Sequence, residues 1–203
     1  MPASGPPTHA ELVRAIRAHH AGVLVGELAG EEAAWPISLA IDGPTGRLIG
    51  NATHEALGVE SLGLSVGEET EDCPQIHTSL DPIDPDRDAA SDRYMARFGE
   101  PDGRLCHLRI HAAKWLSEVY DGDAIDLTNP LASRESSLLR KLNSDRSILA
   151  VAVERERRHR PPDATAVGID PDGLDLRLGH HIVRIDADIG DDPERWVKEW
   201  LTP

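Results

Sequence analysis

The stretch "LCHLRIHAAKW", residues 105–115, sets two imidazoles and a guanidinium at alternate positions. In an extended chain alternate residues share a face and stand about 7 Å apart. His107, Arg109 and His111 then line up on one face, while Cys106, Leu108 and Ile110 turn to the core. A guanidinium forks onto a phosphate or carboxylate, and a flanking imidazole can ligate iron. The same stripe is also what a half-buried strand shows to water or to a partner subunit. A second set, Asn51, Thr53 and His54 in "GNATHEAL", offers polar groups to a cofactor phosphate. Its plainer reading is a helix start, with Asn51 or Thr53 as cap and Glu55 favoured by the helix dipole.

Three aspartates crowd "GIDPDGLDLR", residues 168–177. A calcium loop needs oxygen ligands at alternate positions and a glutamate near the twelfth. Counting from Asp170, the fifth position is Leu174 and the twelfth His181, so the pattern fails. "PDG" is turn chemistry: Pro171 presets φ, Asp172 bonds locally and Gly173 accepts positive φ. Alternation on both sides, through Val167 and Ile169 and then Leu174, Leu176 and Leu178, makes the stretch a β-hairpin. The adjacent His180 and His181 point to opposite faces of a strand and cannot share one metal. His19 and His20 end a helix, where its dipole favours imidazolium. The sequence has no GxSxG, HExxH, Walker loop or GxGxxG.

The elements that must position these residues follow from local pattern. Residues 8–20 read as a helix, with Thr8 and Glu11 forming a capping box. Residues 22–28 read as a strand, and 35–52 as a hairpin turning at "DGPTG". A short helix or loop precedes a strand through Leu62, Leu64 and Val66. Another strand, 74–84, ends at Pro82 and Pro85. Residues 87–99 read as a helix stopped by Gly99, and 101–116 as a turn and strand. A further hairpin is expected around "DGD", residues 121–123. After Asn129 and Pro130 the chain turns helical over 133–160, where "ERERRHR" reads as a solvated basic helix end. The "PDG" hairpin follows, then a short helix with Pro193 in its first turn and Trp196 and Trp200 on one face.

The chain has 203 residues, a net charge of −15 and only 3 % aromatics, so its core is aliphatic. The acidity speaks against nucleic-acid binding and against anionic membranes. Cys73 and Cys106 form no CxxC, which fits a reducing compartment. No signal peptide and no apolar run of roughly 18 residues is visible, so a cytoplasmic location is expected. The expected organisation is a barrel-like unit over 1–128 and a smaller unit over 129–203.

The order of elements resembles the split-barrel proteins related to pyridoxamine-phosphate oxidase, in the branch of haem-utilisation (HugZ-like) proteins. The similarity runs through "PISLAIDGPTGRLIGNATHEALGVESLGLSV" (36–66), "SDRYMARFG" (91–99), "ESSLLRKLNSDRSILAV" (135–151) and "GIDPDGLDLR". It implies an α+β fold, a split antiparallel β-barrel followed by a small α+β C-terminal domain. It further implies a homodimer that binds FMN or haem and acts as a weak oxidoreductase or haem-utilisation protein, with the sets at 51–54 and 107–111 as cofactor contacts. Three departures stand out. Arg146 occupies a position where many members carry histidine. The strand that resembles the flavin phosphate clamp offers only Arg47. The tail "DDPERWVKEWLTP" lacks the histidine that haem-degrading members place there. A cofactor-free regulatory or protein-interaction module on the same fold is the alternative.

Overall fold

The computed structural model describes residues 6–67, 70, 72–157, 163–190 and 192–202. The expectations for the N-terminal residues 1–5, for residues 158–160 of the basic run and for Pro161 and Pro162 lie outside them. The chain divides into two compact units. The first runs to Met95 and resumes over Gly99–Leu127; the second takes Ala96–Phe98 and the chain from Thr128 onward.

In the first unit, helix α1 (His9–Arg17) starts where the capping box requires. Thr8 Oγ1 accepts from Glu11 N, and the Glu11 carboxylate accepts from Thr8 N at 2.8 Å. Strands β1 (Ala21–Leu28), β2 (Glu31–Asp42), β3 (Arg47–Ala52), β4 (Leu62–Val66), β5 (Gln75–Pro82) and β6 (Arg104–Trp115) follow. They form an antiparallel sheet in the order β3-β2-β1-β4-β5-β6. It closes into a six-stranded barrel because β6 also pairs with β3, from Leu48↔Leu108 to Ala52↔Arg104. An extra strand, β7 (Glu118–Asp121), pairs with the far half of β6, from Ala112↔Asp121 to Trp115↔Glu118. The fold is thus α+β with an antiparallel barrel.

Alternation fills the barrel. Leu24, Ile37, Leu39, Leu48, Leu62, Leu64, Ile76, Cys106 and Leu108 are buried inside, and Leu12 and Ile16 of α1 join the same core. Each such aliphatic side chain contributes about 1.5–3 kcal/mol by leaving water. Both cysteines are free and buried, and burial pushes the Cys106 thiol up to about 11. Helix α2 (Ala89–Phe98) lies against the outer face of β2 and β6: Arg93 pairs with Asp42 at 3.0 Å and Asp88, its N-cap, with His107 at 2.8 Å.

In the second unit, α3 (Ala132–Leu142) and α4 (Arg146–Arg157) precede a three-stranded meander of β8 (Ala164–Asp170), β9 (Gly173–Leu178) and β10 (His181–Asp186), and α5 (Pro193–Trp200) closes it. One face of β9 carries Leu174 and Leu176 into a core with Leu138, Leu142, Leu149, Val197 and Trp200. Trp196 and Trp200 stack with ring centres 5.5 Å apart. Asn143, after α3, exchanges two hydrogen bonds with Ala166 at 2.8 and 2.9 Å and so completes a stretch of β8.

Several local expectations change. The strand expected from residue 35 starts at Glu31, because Ala29 and Gly30, both at positive φ, turn β1 into β2. "DGD" is a single 3-10 turn at Gly122–Ala124, and the hairpin turns earlier, at Leu116 and Ser117. The C-terminal hairpin gains a third strand, β10. Gly173 has no positive φ. It is needed because a Cβ there would meet the Ile185 carbonyl of β10 at 2.6 Å. "GIDPDGLDLR" is the β8–β9 hairpin, and its acids bind arginines: Arg184 donates to Asp170 at 2.7 Å and to Asp175 at 2.9 Å.

Candidate functional site

Strand β6 has two different neighbours along one edge. β3 pairs with it as far as Leu108, and β7 from Ala112 onward. Between them, Arg109–His111 has no strand partner on that edge. A concavity of about 560 Å³ opens here, lined by Gly46, Arg47, Leu48, Ser79, Asp81, Gly122, Ile125 and the 107–110 stretch of β6. Its size suits a small ligand. Gly122 closes one end so tightly that a Cβ would meet the Ile110 carbonyl at 2.1 Å.

The alternation of β6 places His107, Arg109 and His111 on the outer face. Opposite on β5, Ser79 faces Arg109 and Asp81 faces His107. The register then slips between His77 and Thr78, leaving His111 as the extra residue of a bulge. The bulge keeps His111 outward but turns it toward His77. The two rings lie 5.2 Å apart, His111 Nε2 bonds Ser79 at 2.9 Å, and His77 Nε2 bonds Ser61 at 2.9 Å. The stripe is therefore divided: His107 and Arg109 line the concavity, and His111 belongs to a hydroxyl–imidazole band beside it.

Arg47, the one arginine of the strand compared above with a phosphate clamp, also lines the concavity. Arg47 precedes Leu48 and Arg109 follows Leu108, the pair at which the β3–β6 ladder ends. Both are exposed and both line the concavity. Among the described residues, neither side chain has a carboxylate within ion-pair distance. Two like charges lining one hollow repel, and an anion between them offsets that repulsion.

His107 is the most enclosed member, with its side chain 12 % exposed. Its Nε2 lies 2.8 Å from Asp88 Oδ2. Asp88 is itself fixed, its other oxygen accepting from Ala90 N at 2.9 Å at the start of α2. The Ala90 and His107 hydrogen bonds, helped by the Arg47 charge, hold the Asp88 carboxyl below its ordinary range. With Asp88 ionised, a neutral His107 carries its proton on Nε2 and a lone pair on Nδ1. That atom is buried and has no partner.

The 51–54 set does not line the concavity. Asn51 accepts from Ser38 N at 3.2 Å and donates to Asp102. Thr53 Oγ1 accepts from Ala56 N at 3.3 Å, next to the 3-10 turn Ala56–Gly58, whose N-cap is Glu55. His54 is exposed. Beyond these, the structure adds Asp88, Asp81, Ser79 and His77. Asp88 could have been suspected as the N-cap of a helix, but its pairing with His107 has no local signal. Among the described residues no group of three or more His, Cys, Asp or Glu side chains could hold a metal ion. Nor is any described helix long and apolar enough to cross a membrane.

No family profile and no curated protein matches the chain. Among solved structures, a protein of unknown function from Agrobacterium tumefaciens is similar over 98 % of both chains, at 18 % identity and a TM-score of 0.67. That likeness shows a shared fold. A heme binding protein from Mycobacterium smegmatis aligns over 97 % of both chains at 18 % identity, with a TM-score of 0.45. A pyridoxamine 5'-phosphate oxidase-like protein from Listeria innocua aligns over 54 % of this chain and 98 % of its own, at 14 % identity and a TM-score of 0.42.

Proposed function

We propose that the concavity beside β6 binds a planar anionic cofactor, FMN or haem, with its phosphate or propionate between Arg47 and Arg109. The observation that carries this is the presence of two exposed arginines, Arg47 and Arg109, in the lining of one ligand-sized hollow. The residues fit such a group: two guanidiniums can fork onto the anion, with His107 on the same wall. A bound flavin or haem would supply the redox chemistry of a weak oxidoreductase or haem-utilisation protein. The chain's own part is to hold the anion, orient the ring system along β6 and exclude water with Ile110 and Ile125. The protein acts as a cytoplasmic homodimer in this reading.

The experiment is titration with FMN and with haem, followed by visible absorption. Arg109→Ala and Arg47→Ala should each weaken binding by about 1–3 kcal/mol, the scale of a charge-assisted hydrogen bond. No binding of either cofactor by the wild type refutes the reading. A second reading, a cofactor-free interaction module, is favoured by Asp81, which brings negative charge to the same hollow.

A further inference from the structure

We infer that His77 and His111 together bind one late first-row divalent cation, Zn²⁺ or Cu²⁺, on the outer face of the barrel. The site is separate from the concavity, whose lining includes neither imidazole. It stands whether or not an anionic cofactor binds there. The two histidines come from neighbouring strands, β5 and β6, and both are exposed. The register slip sets two residues of β6, His111 and Ala112, against His77 alone. A bulge of this kind re-aims a side chain. Here it leaves the two ring centres 5.2 Å apart, with their planes tilted by 46°.

That spacing is what a shared ion requires. At about 2.0–2.1 Å from each ring nitrogen, a tetrahedral ion sets two imidazole centres about 5 Å apart. Imidazole suits Zn²⁺ and Cu²⁺, whereas Ca²⁺ takes oxygen ligands. The rings are also oriented in advance. Ser61 Oγ lies 2.9 Å from His77 Nε2, and Ser79 Oγ lies 2.9 Å from His111 Nε2. Each serine thus holds one nitrogen of its ring, as the outer partners of metal-bound histidines do. The other nitrogen of each ring has no hydrogen-bond partner among the described residues. Two protein nitrogens leave the remaining tetrahedral positions to water, so the ion is exchangeable rather than enclosed like a structural zinc. Such a pair needs fewer side chains than the groups of three or more that are absent among the described residues.

The test is calorimetric titration of the full chain with Zn²⁺ at neutral pH, with Ca²⁺ as the oxygen-preferring control. Zn²⁺ should bind at micromolar concentration and Ca²⁺ should not. His77→Ala and His111→Ala should each lower the Zn²⁺ affinity about 100-fold, because the second imidazole otherwise binds within the same molecule. His54→Ala, which removes an exposed histidine outside the pair, should leave it unchanged. Both rings of the pair are exposed, so their removal spares the barrel core, and far-ultraviolet circular dichroism checks that. Nitrogen-15 spectra of the wild-type histidines need no variant to fold: Zn²⁺ should move the side-chain signals of His77 and His111 together. Zn²⁺ that leaves both signals in place overturns the inference. So does Zn²⁺ binding as tight in the two single variants as in the wild type. Neither result touches the FMN and haem titrations, so the cofactor reading holds or fails on its own.

Discussion

Arg184 Nη1 donates to Asp175 Oδ1 at 2.9 Å, with both side chains at most 5 % exposed. The Asp175 carboxylate also takes Arg97 at 3.2 Å, and Arg184 reaches Asp170 at 2.7 Å. Burial alone would lower the Arg184 pKa, and the hydrogen bonds and charges of the two aspartates more than offset it, so its pKa is raised. Asp170 and Asp175 of "GIDPDGLDLR" are thus committed to guanidiniums. Removing one partner leaves a buried charge uncompensated. Asp175→Ala should cost about 3–5 kcal/mol in chemical denaturation, whereas calcium should leave the wild-type melting temperature unmoved. A calcium-dependent rise would contradict this assignment.

Asp88 predicts an acid-side dependence. Its folded pKa lies below the ordinary value of 3.8. A depressed carboxyl stabilises the fold above its unfolded pKa and loses that contribution as pH falls through the folded value. Glu11 and Asp145 are shifted in the same direction, so the difference between proteins is the informative quantity. Wild type minus Asp88→Asn, measured by urea unfolding, should shrink as pH drops from neutrality into the carboxyl range. A difference that stays constant across that window contradicts the assignment.

Gly122 predicts a packing effect. Its missing Cβ lets the 3-10 turn press on the Ile110 carbonyl, and backbone cannot yield as a side-chain tip can. Gly122→Ala should destabilise by about 1–3 kcal/mol and weaken any ligand of the concavity. A thermal melt matching the wild type would show that the turn moves aside freely.

Strand β7 carries the expected dimer. It pairs only with β6, and Val119 on it is 72 % exposed, with Leu116 beside it at 44 %. An edge strand with exposed aliphatics favours twofold pairing. Light scattering should return twice the chain mass of 22.1 kDa at micromolar concentration, and Val119→Lys should reduce it toward one. A monomeric wild type excludes the dimer.

Local chemistry in the sequence was enough to fix the pieces. The Thr8 and Glu11 spacing fixed the start of α1, the alternation of 105–110 set His107 and Arg109 on one face, and "PDG" set the hairpin in the C-terminal unit. These signals act over a few residues, where sterics and side-chain period decide. Folding decided which pieces meet. Closure of β6 onto β3 brings Arg47 and Arg109 to one concavity, and the docking of α2 brings Asp88 to His107. The bulge at His77 and Thr78 separates His111 from the stripe, although strict alternation keeps it there. Strand partners are chosen by burial across the whole barrel, and residues 62 positions apart leave no periodic trace of that choice. For the same reason Asn51 and Thr53, polar and well spaced in the sequence, accept from backbone N–H groups, while Arg47 lines the concavity beside β6.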